Sequence, residues 1–187
     1  MPRKNKKLPR HLLVIRTSAM GDVAMLPHAL RALKEAYPEV KVTVATKSLF
    51  HPFFEGLDVG FLDIETRRTH RGIRGAIRFP REAAELKIDA VADMHNVLRS
   101  KMVRAALHLR GIPVSVIHKG RIEKYMRLGR GSEGVKPLKH TVIRYCDVFR
   151  RLGFDFPDPR PAEKRPRPKP MGEKRGVWIG FAPFSAQ

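Results

Sequence analysis

Five short runs of apolar and β-branched residues recur along this chain, separated by longer stretches of a different periodicity. They are LLVIR at 12–16, KVTVAT at 41–46, VGFLDI at 59–64, IDAVA at 88–92 and IPVSVI at 112–117. Each is too short for a stable helix and is bounded by polar residues or turn formers, so each predicts a strand. Between the first two, Val23, Leu26, Leu30, Leu33 and Tyr37 fall at i, i+3, i+7, i+10 and i+14, one face of an amphipathic helix. Pro27 sits near the expected first turn, where a missing N–H is tolerated or causes a slight kink, and Pro38 ends the helix. Further helical patterns cover 72–87, 97–109 and 138–152, the last stopped by Gly153, while LFHPFFEGL reads as a short helix or loop. Strands alternating with helices at this spacing cannot pair as hairpins. They predict an α/β domain, a Rossmann-like parallel sheet with helices on both faces.

Composition shifts at Asp155. The stretch from Phe156 to Gly176, FPDPRPAEKRPRPKPMGEKRG, holds six prolines and many charges, with almost nothing to bury. It predicts a semi-extended linker. GVWIGFAPFSAQ then reads as a new strand and half a loop. The expected organisation is a basic tail at 1–10, a Rossmann-like domain at 11–154, a linker at 155–175, and at 176–187 the first strand of a second, truncated α/β domain.

Charge narrows the partners. Thirty-eight Lys and Arg against eighteen Asp and Glu give a formal charge of +20. Such an excess implies polyanions: nucleic acid, an anionic membrane surface or a phosphorylated substrate. No run of eighteen apolar residues predicts a transmembrane helix, and the four apolar residues closed by Arg16 are too few for a signal peptide. A single cysteine, Cys146, excludes an internal disulfide and a cysteine-cluster metal site. The expected compartment is the cytoplasm. No His or acid spacing resembles a metal site.

The first strand runs into the loop TSAMGD at 17–22. A dinucleotide-binding turn needs glycines at its first, third and sixth positions, and this loop has one. It does place Asp22 near a helix start beyond a strand's carboxyl end, where open α/β sheets bind ligands. Two readings of Asp22 stand: a helix N-cap, worth about 1 kcal/mol, or a functional acid. The roles compete mildly, because a helix N-terminus favours a charge that a base must give up.

The block VIRTSAMGDVAMLPHALRALKEAYPEVKVTVAT resembles the N-terminal signature of glycosyltransferase family 9, the ADP-heptose:lipopolysaccharide heptosyltransferases. Members look like strand-R-x-S-x-x-GD-helix, then Pro-x-Ala-Leu-x-x-Leu-Lys, a proline and a second strand; His28 is unusual within that frame. IDAVADMHNVLRSKMVRAAL and LKHTVIRYCDVFRRLGF are similar to later blocks. The resemblance implies the N-terminal domain of a GT-B fold, two Rossmann-like domains facing across a cleft. It further implies inverting, metal-independent transfer of heptose from the co-substrate ADP-heptose to the acidic lipopolysaccharide inner core, with no cofactor. The family's general base falls on Asp22. Candidate acceptor-binding residues are Ser18, Ala19, Met20 and Gly21 of this loop, His95, Asn96, Arg99 and Lys101 at another strand end, and Arg121, whose family counterpart lies near the acceptor; His95 also reads as an ordinary polar loop residue. The nucleotide-sugar donor would be bound by the missing domain, with Ser185 at its first loop. On this reading the chain alone is inactive. A peripheral contact with the inner membrane is compatible with such an acceptor.

Arg71, Arg74, Arg78 and Arg81 recur on one helix face, preceded by Arg67, Arg68 and His70. They are either a solvated face or a clamp for phosphates and carboxylates, which arginine grips in bidentate fashion. Lys119, Arg121, Lys124 and Arg127 form a further basic cluster, and Asp93 reads as a cap or a cleft residue. Two alternatives remain open: a non-enzymatic basic α/β protein that binds nucleic acid, and a transferase for another anionic glycan. Against the first, no RNP-like motif, helix-turn-helix cue or zinc knuckle is present, and aromatics are only 7%, few of them among the basic residues.

Overall fold

A computed structural model describes residues 7–65, 72–118 and 139–159, with backbone alone for 72–77. Its elements run β1 (His11–Ile15), α1 (Met20–Ala36), β2 (Lys41–Thr46), a 3-10 helix (Ser48–Phe54), β3 (Gly60–Asp63), α2 (Gly72–Glu85), β4 (Ala90–Asp93), α3 (Leu98–His108), β5 (Val114–Val116) and α4 (Thr141–Arg151). The five strands form one sheet in the order β3-β2-β1-β4-β5, and every pair is parallel. The expected α/β, Rossmann-like class is therefore observed.

β1 lies at the centre and is buried along its whole length, which is why it reads as an unbroken apolar run. Its side chains alternate between two cores. Leu12 and Val14 face Val23, Leu26, Leu30 and Leu33 of α1, together with Tyr145 and Phe149 of α4. Leu13 and Ile15 face Phe79 and Ala83 of α2 and Val103 and Leu107 of α3. Helices thus cover both faces, as a parallel sheet requires.

Two boundaries bear on the site and on the end of the domain. α1 starts at Met20, three residues before its apolar face begins, and the exposed Met20 and Gly21 of its first turn bury nothing. Pro27 is consequently the eighth residue of the helix rather than part of its first turn. There it removes the hydrogen bond to the Val23 carbonyl, a loss of about 3 kcal/mol in an isolated helix, while its ring is buried in the core. At the other end, packing continues past Phe154. Phe156 is buried against Phe149, and the Arg150 guanidinium donates to the Phe156 carbonyl at 2.9 Å. Burying a phenylalanine contributes about 1.5–3 kcal/mol, enough to hold the first residues of the Pro-rich stretch on the domain. Most of the linker expected at 155–175, and the strand expected at 176–187, lie outside the described residues, as do residues 1–6 of the basic tail.

Candidate functional site

The strand order changes direction at β1. The chain moves outward from β1 through β2 to β3, then crosses back to place β4 and β5 on the other side. Adjacent strands whose following connections diverge leave a crevice at their carboxyl ends, the usual ligand position in open α/β sheets. Here that crevice lies between the loops that follow β1 and β4. Ile15 pairs with Asp93, and the Met94 N–H donates to the Ile15 carbonyl at 3.1 Å.

The β4 loop, residues 94–97, is built around Asp93. Its side chain is fully buried, and its Oδ1 accepts the His95 and Asn96 N–H groups at 2.9 and 2.8 Å. Its Oδ2 takes the Arg104 guanidinium at 3.3 Å, which also reaches the Asn96 Oδ1 at 3.2 Å. Asn96 adopts a positive φ of 48°, a conformation asparagine tolerates better than most residues. The Ser100 hydroxyl accepts the Val97 N–H at 3.0 Å, supporting the start of α3. Asp93 therefore shapes the loop from within. The product is a buried His95 whose Nε2 lies 3.4 Å from the Ser18 hydroxyl of the facing loop.

In the β1 loop, the N-cap of α1 is Ala19, which offers no side-chain cap, and Asp22 is the third helical residue. Asp22 is thus not the N-cap. Its carboxylate turns back instead to the guanidinium of Arg16, where Oδ2 accepts from Nη2; the two side chains are 45% and 8% exposed. The other Arg16 Nη donates to the Met94 carbonyl. The Asp22 Oδ1 has no hydrogen bond among the described residues. From α4, the Tyr145 hydroxyl donates to the Asp22 backbone carbonyl at 3.0 Å. Burial chiefly pushes the Tyr145 hydroxyl up to about 12, opposed by Arg16 and assisted by the Asp22 charge, so it remains a donor. Ala19, Met20 and Gly21 are exposed beside Asp22, and a Cβ added to Gly21 would meet nothing within 4 Å.

Of the residues expected from sequence, Ser18, Asp22 and His95 converge on this crevice, with Asn96 beside them. Arg99 is half-buried and Lys101 exposed near the start of α3; no side-chain hydrogen bond ties either to the loops among the described residues. Arg67, Arg68, Arg71, Arg121 and Ser185 lie outside the described residues, as do His70, Lys119, Lys124, Arg127 and the Arg74 side chain. Arg78 of the arginine stripe forms an ion pair with Glu82, one turn further along α2. No role was expected of Arg16, although it is the arginine of the R-x-S-x-x-GD pattern, or of Tyr145. A signal was present for Arg16, a lone cation closing an apolar central strand six residues before an acid. Tyr145, 123 residues from Asp22, left none. No group of three or more His, Cys, Asp or Glu suited to a metal comes together among the described residues.

No protein-family model matches the chain, and no curated protein sequence matches it. Solved structures share its fold. A glycosyltransferase family 9 protein from Veillonella parvula is similar with a TM-score of 0.56 at 17% identity, over 77% of this chain and 42% of its own. The E. coli heptosyltransferase WaaC with ADP-2-deoxy-2-fluoro heptose gives 0.55 at 22% identity, over 80% and 50%. The same enzyme with ADP gives 0.53 at 23%, over 80% and 49%. The chain spans about half the length of the structures it matches. These structures show the α/β fold that the resemblance in the GD block implies.

Proposed function

We propose that this chain is the acceptor-binding half of a family 9 glycosyltransferase, a heptosyltransferase of GT-B architecture. The observation that carries the reading is the Asp22 carboxylate at the switch-point crevice, half-exposed, with one oxygen bonded to Arg16 and the other without a hydrogen bond among the described residues. The similar solved structures, one of them a heptosyltransferase with an ADP-sugar analogue, support the same reading.

The chemistry follows from that placement. Asp22 accepts the proton of an acceptor hydroxyl as its oxygen attacks the anomeric carbon of the heptose. The bond from that carbon to ADP breaks, ADP leaves with the electron pair, and the configuration inverts. A base has to lie within about 2.6–3.2 Å of the hydroxyl it serves, and the open space beside Gly21 leaves room for one. Ser18 and His95 would orient neighbouring hydroxyls. Arg67, Arg68, Arg71, Arg99, Lys101 and Arg121 would grip the phosphates and carboxylates of a lipopolysaccharide core, consistent with the +20 charge. The β1 loop lacks the glycines of a pyrophosphate site, so the nucleotide-sugar would be held by a second domain, with Ser185 at its entrance. No metal has a part in this scheme.

Among the described residues, no helix is long and apolar enough to cross a membrane. A peripheral contact is supported by α3 and its C-cap, where Leu98, Met102 and Leu109 are 76%, 43% and 88% exposed at i, i+4 and i+11. Lys101 lies beside them, the composition of an interfacial helix face. A cytoplasmic location at the inner membrane fits this surface.

The test is donor consumption by the full-length protein, given ADP-heptose and a core acceptor lacking heptose. ADP release that requires the acceptor and persists in EDTA is expected. No acceptor-dependent release, with nucleic-acid binding that survives high salt, would overturn the reading.

A further inference from the structure

Arg16 ends the central strand as a nearly buried cation, and its two outer nitrogens are committed to different elements. One holds the Met94 carbonyl at the start of the β4 loop, and the other holds a single oxygen of Asp22. Its guanidinium carbon lies 5.9 Å from the centre of the Tyr145 ring, and the Tyr145 hydroxyl fixes the Asp22 backbone. The acid is therefore gripped at both ends, side chain by Arg16 and main chain by Tyr145.

Stability alone gives little reason for this construction. An ion pair with one partner half in water adds little stability, and burying a guanidinium costs solvation that such a pair barely repays. The fork does set geometry. A planar guanidinium fixed on the Met94 carbonyl restricts the orientation of the carboxylate it holds, engaging Oδ2 and leaving Oδ1 without a hydrogen bond among the described residues. A lysine in its place would keep the charge as a single point and lose that fork.

We propose that Arg16 is the positioning residue of this site, clamping Asp22 against the β4 loop so that one carboxylate oxygen alone is presented to the substrate hydroxyl. The inference rests on Asp22 being the general base. It assigns Arg16 no contact with substrate.

The experiment is a double-mutant cycle in the full-length protein, with kcat, acceptor KM and melting temperature measured for Arg16→Met, Asp22→Asn and the double variant. Misplacing a reacting group by about 1 Å costs on the order of 100-fold, so Arg16→Met should lower kcat by roughly 10–100-fold with acceptor KM within about twofold. In the Asp22→Asn background the same change should cost less than about threefold, because the residue acts only through the acid. An Arg16→Met kcat within about twofold of the parent would overturn the proposal, as would losses that multiply in the double variant. If Asp22→Asn alone keeps full turnover, the base assignment fails first and the positioning role falls with it. Should Arg16→Met not fold, Arg16→Lys carries the test. A kcat lowered about tenfold at unchanged KM and melting temperature supports the fork, and an unchanged kcat overturns it.

Discussion

At the other end of β1 from the candidate site, His11 is buried with its Nε2 2.8 Å from the Thr43 hydroxyl. Burial holds its imidazole below the ordinary value of 6.5, helped by the Lys41 charge and opposed by Asp89 and by the Leu86 and Lys87 carbonyls. The folded protein therefore resists protonating it, whereas the unfolded chain takes the proton near 6.5. Stability from this residue is complete above 6.5 and is lost as pH falls toward the folded value. A melting temperature that drops between pH 7 and 5, with a shallower drop in His11→Gln, is expected; identical pH slopes would contradict it. Residue scale is also where sequence reading reached least far. Asp22 stood out because Gly-Asp beyond an apolar strand is a local pattern. The role of Arg16 depends on Met94 and Asp22 converging on it, and that of Tyr145 on α4 packing beside α1. Such partnerships are made by the fold; spacing hinted at Arg16 with Asp22 and gave nothing for Tyr145.

The elements themselves were largely legible, since a parallel strand covered on both faces has to be an apolar run and a covering helix has to carry an apolar stripe. KVTVAT coincides with β2, and the other runs contain their strands or miss an end by one or two residues. Where periodicity stopped short was at α1, whose first turn carries no buried apolar face; Met20 and Gly21 are exposed there. The same logic leaves α3 with two apolar faces. Ser100, Val103 and Leu107 are buried against the sheet, yet Leu98, Met102 and Leu109 point to solvent. Replacing Leu98 and Leu109 with serine removes exposed groups only, so the fold should be unaffected. If this face meets a bilayer, the double substitution should weaken sedimentation with phosphatidylglycerol-containing vesicles by roughly tenfold. Equal sedimentation would exclude α3 as the membrane contact.

For the whole molecule, topology gives the local features a common meaning. One sheet, reversing direction at β1, brings the Asp22 loop and the His95 loop to the same crevice although they lie far apart in sequence. The β1 loop's missing glycines follow if the nucleotide belongs to a facing domain, and the basic surface follows if the acceptor is a phosphorylated glycan. The chain spans about half of the structures it resembles, so the catalytic claim belongs to the full-length protein. Its most direct test is acceptor-dependent ADP release from ADP-heptose by full-length Asp22→Asn, which keeps the shape of the side chain and removes its basicity. General-base catalysis contributes about 10²–10⁴-fold, so kcat should fall by at least 100-fold at unchanged melting temperature. Turnover within a few-fold of the parent would contradict the account, leaving Asp22 as the partner of a buried arginine and nothing more.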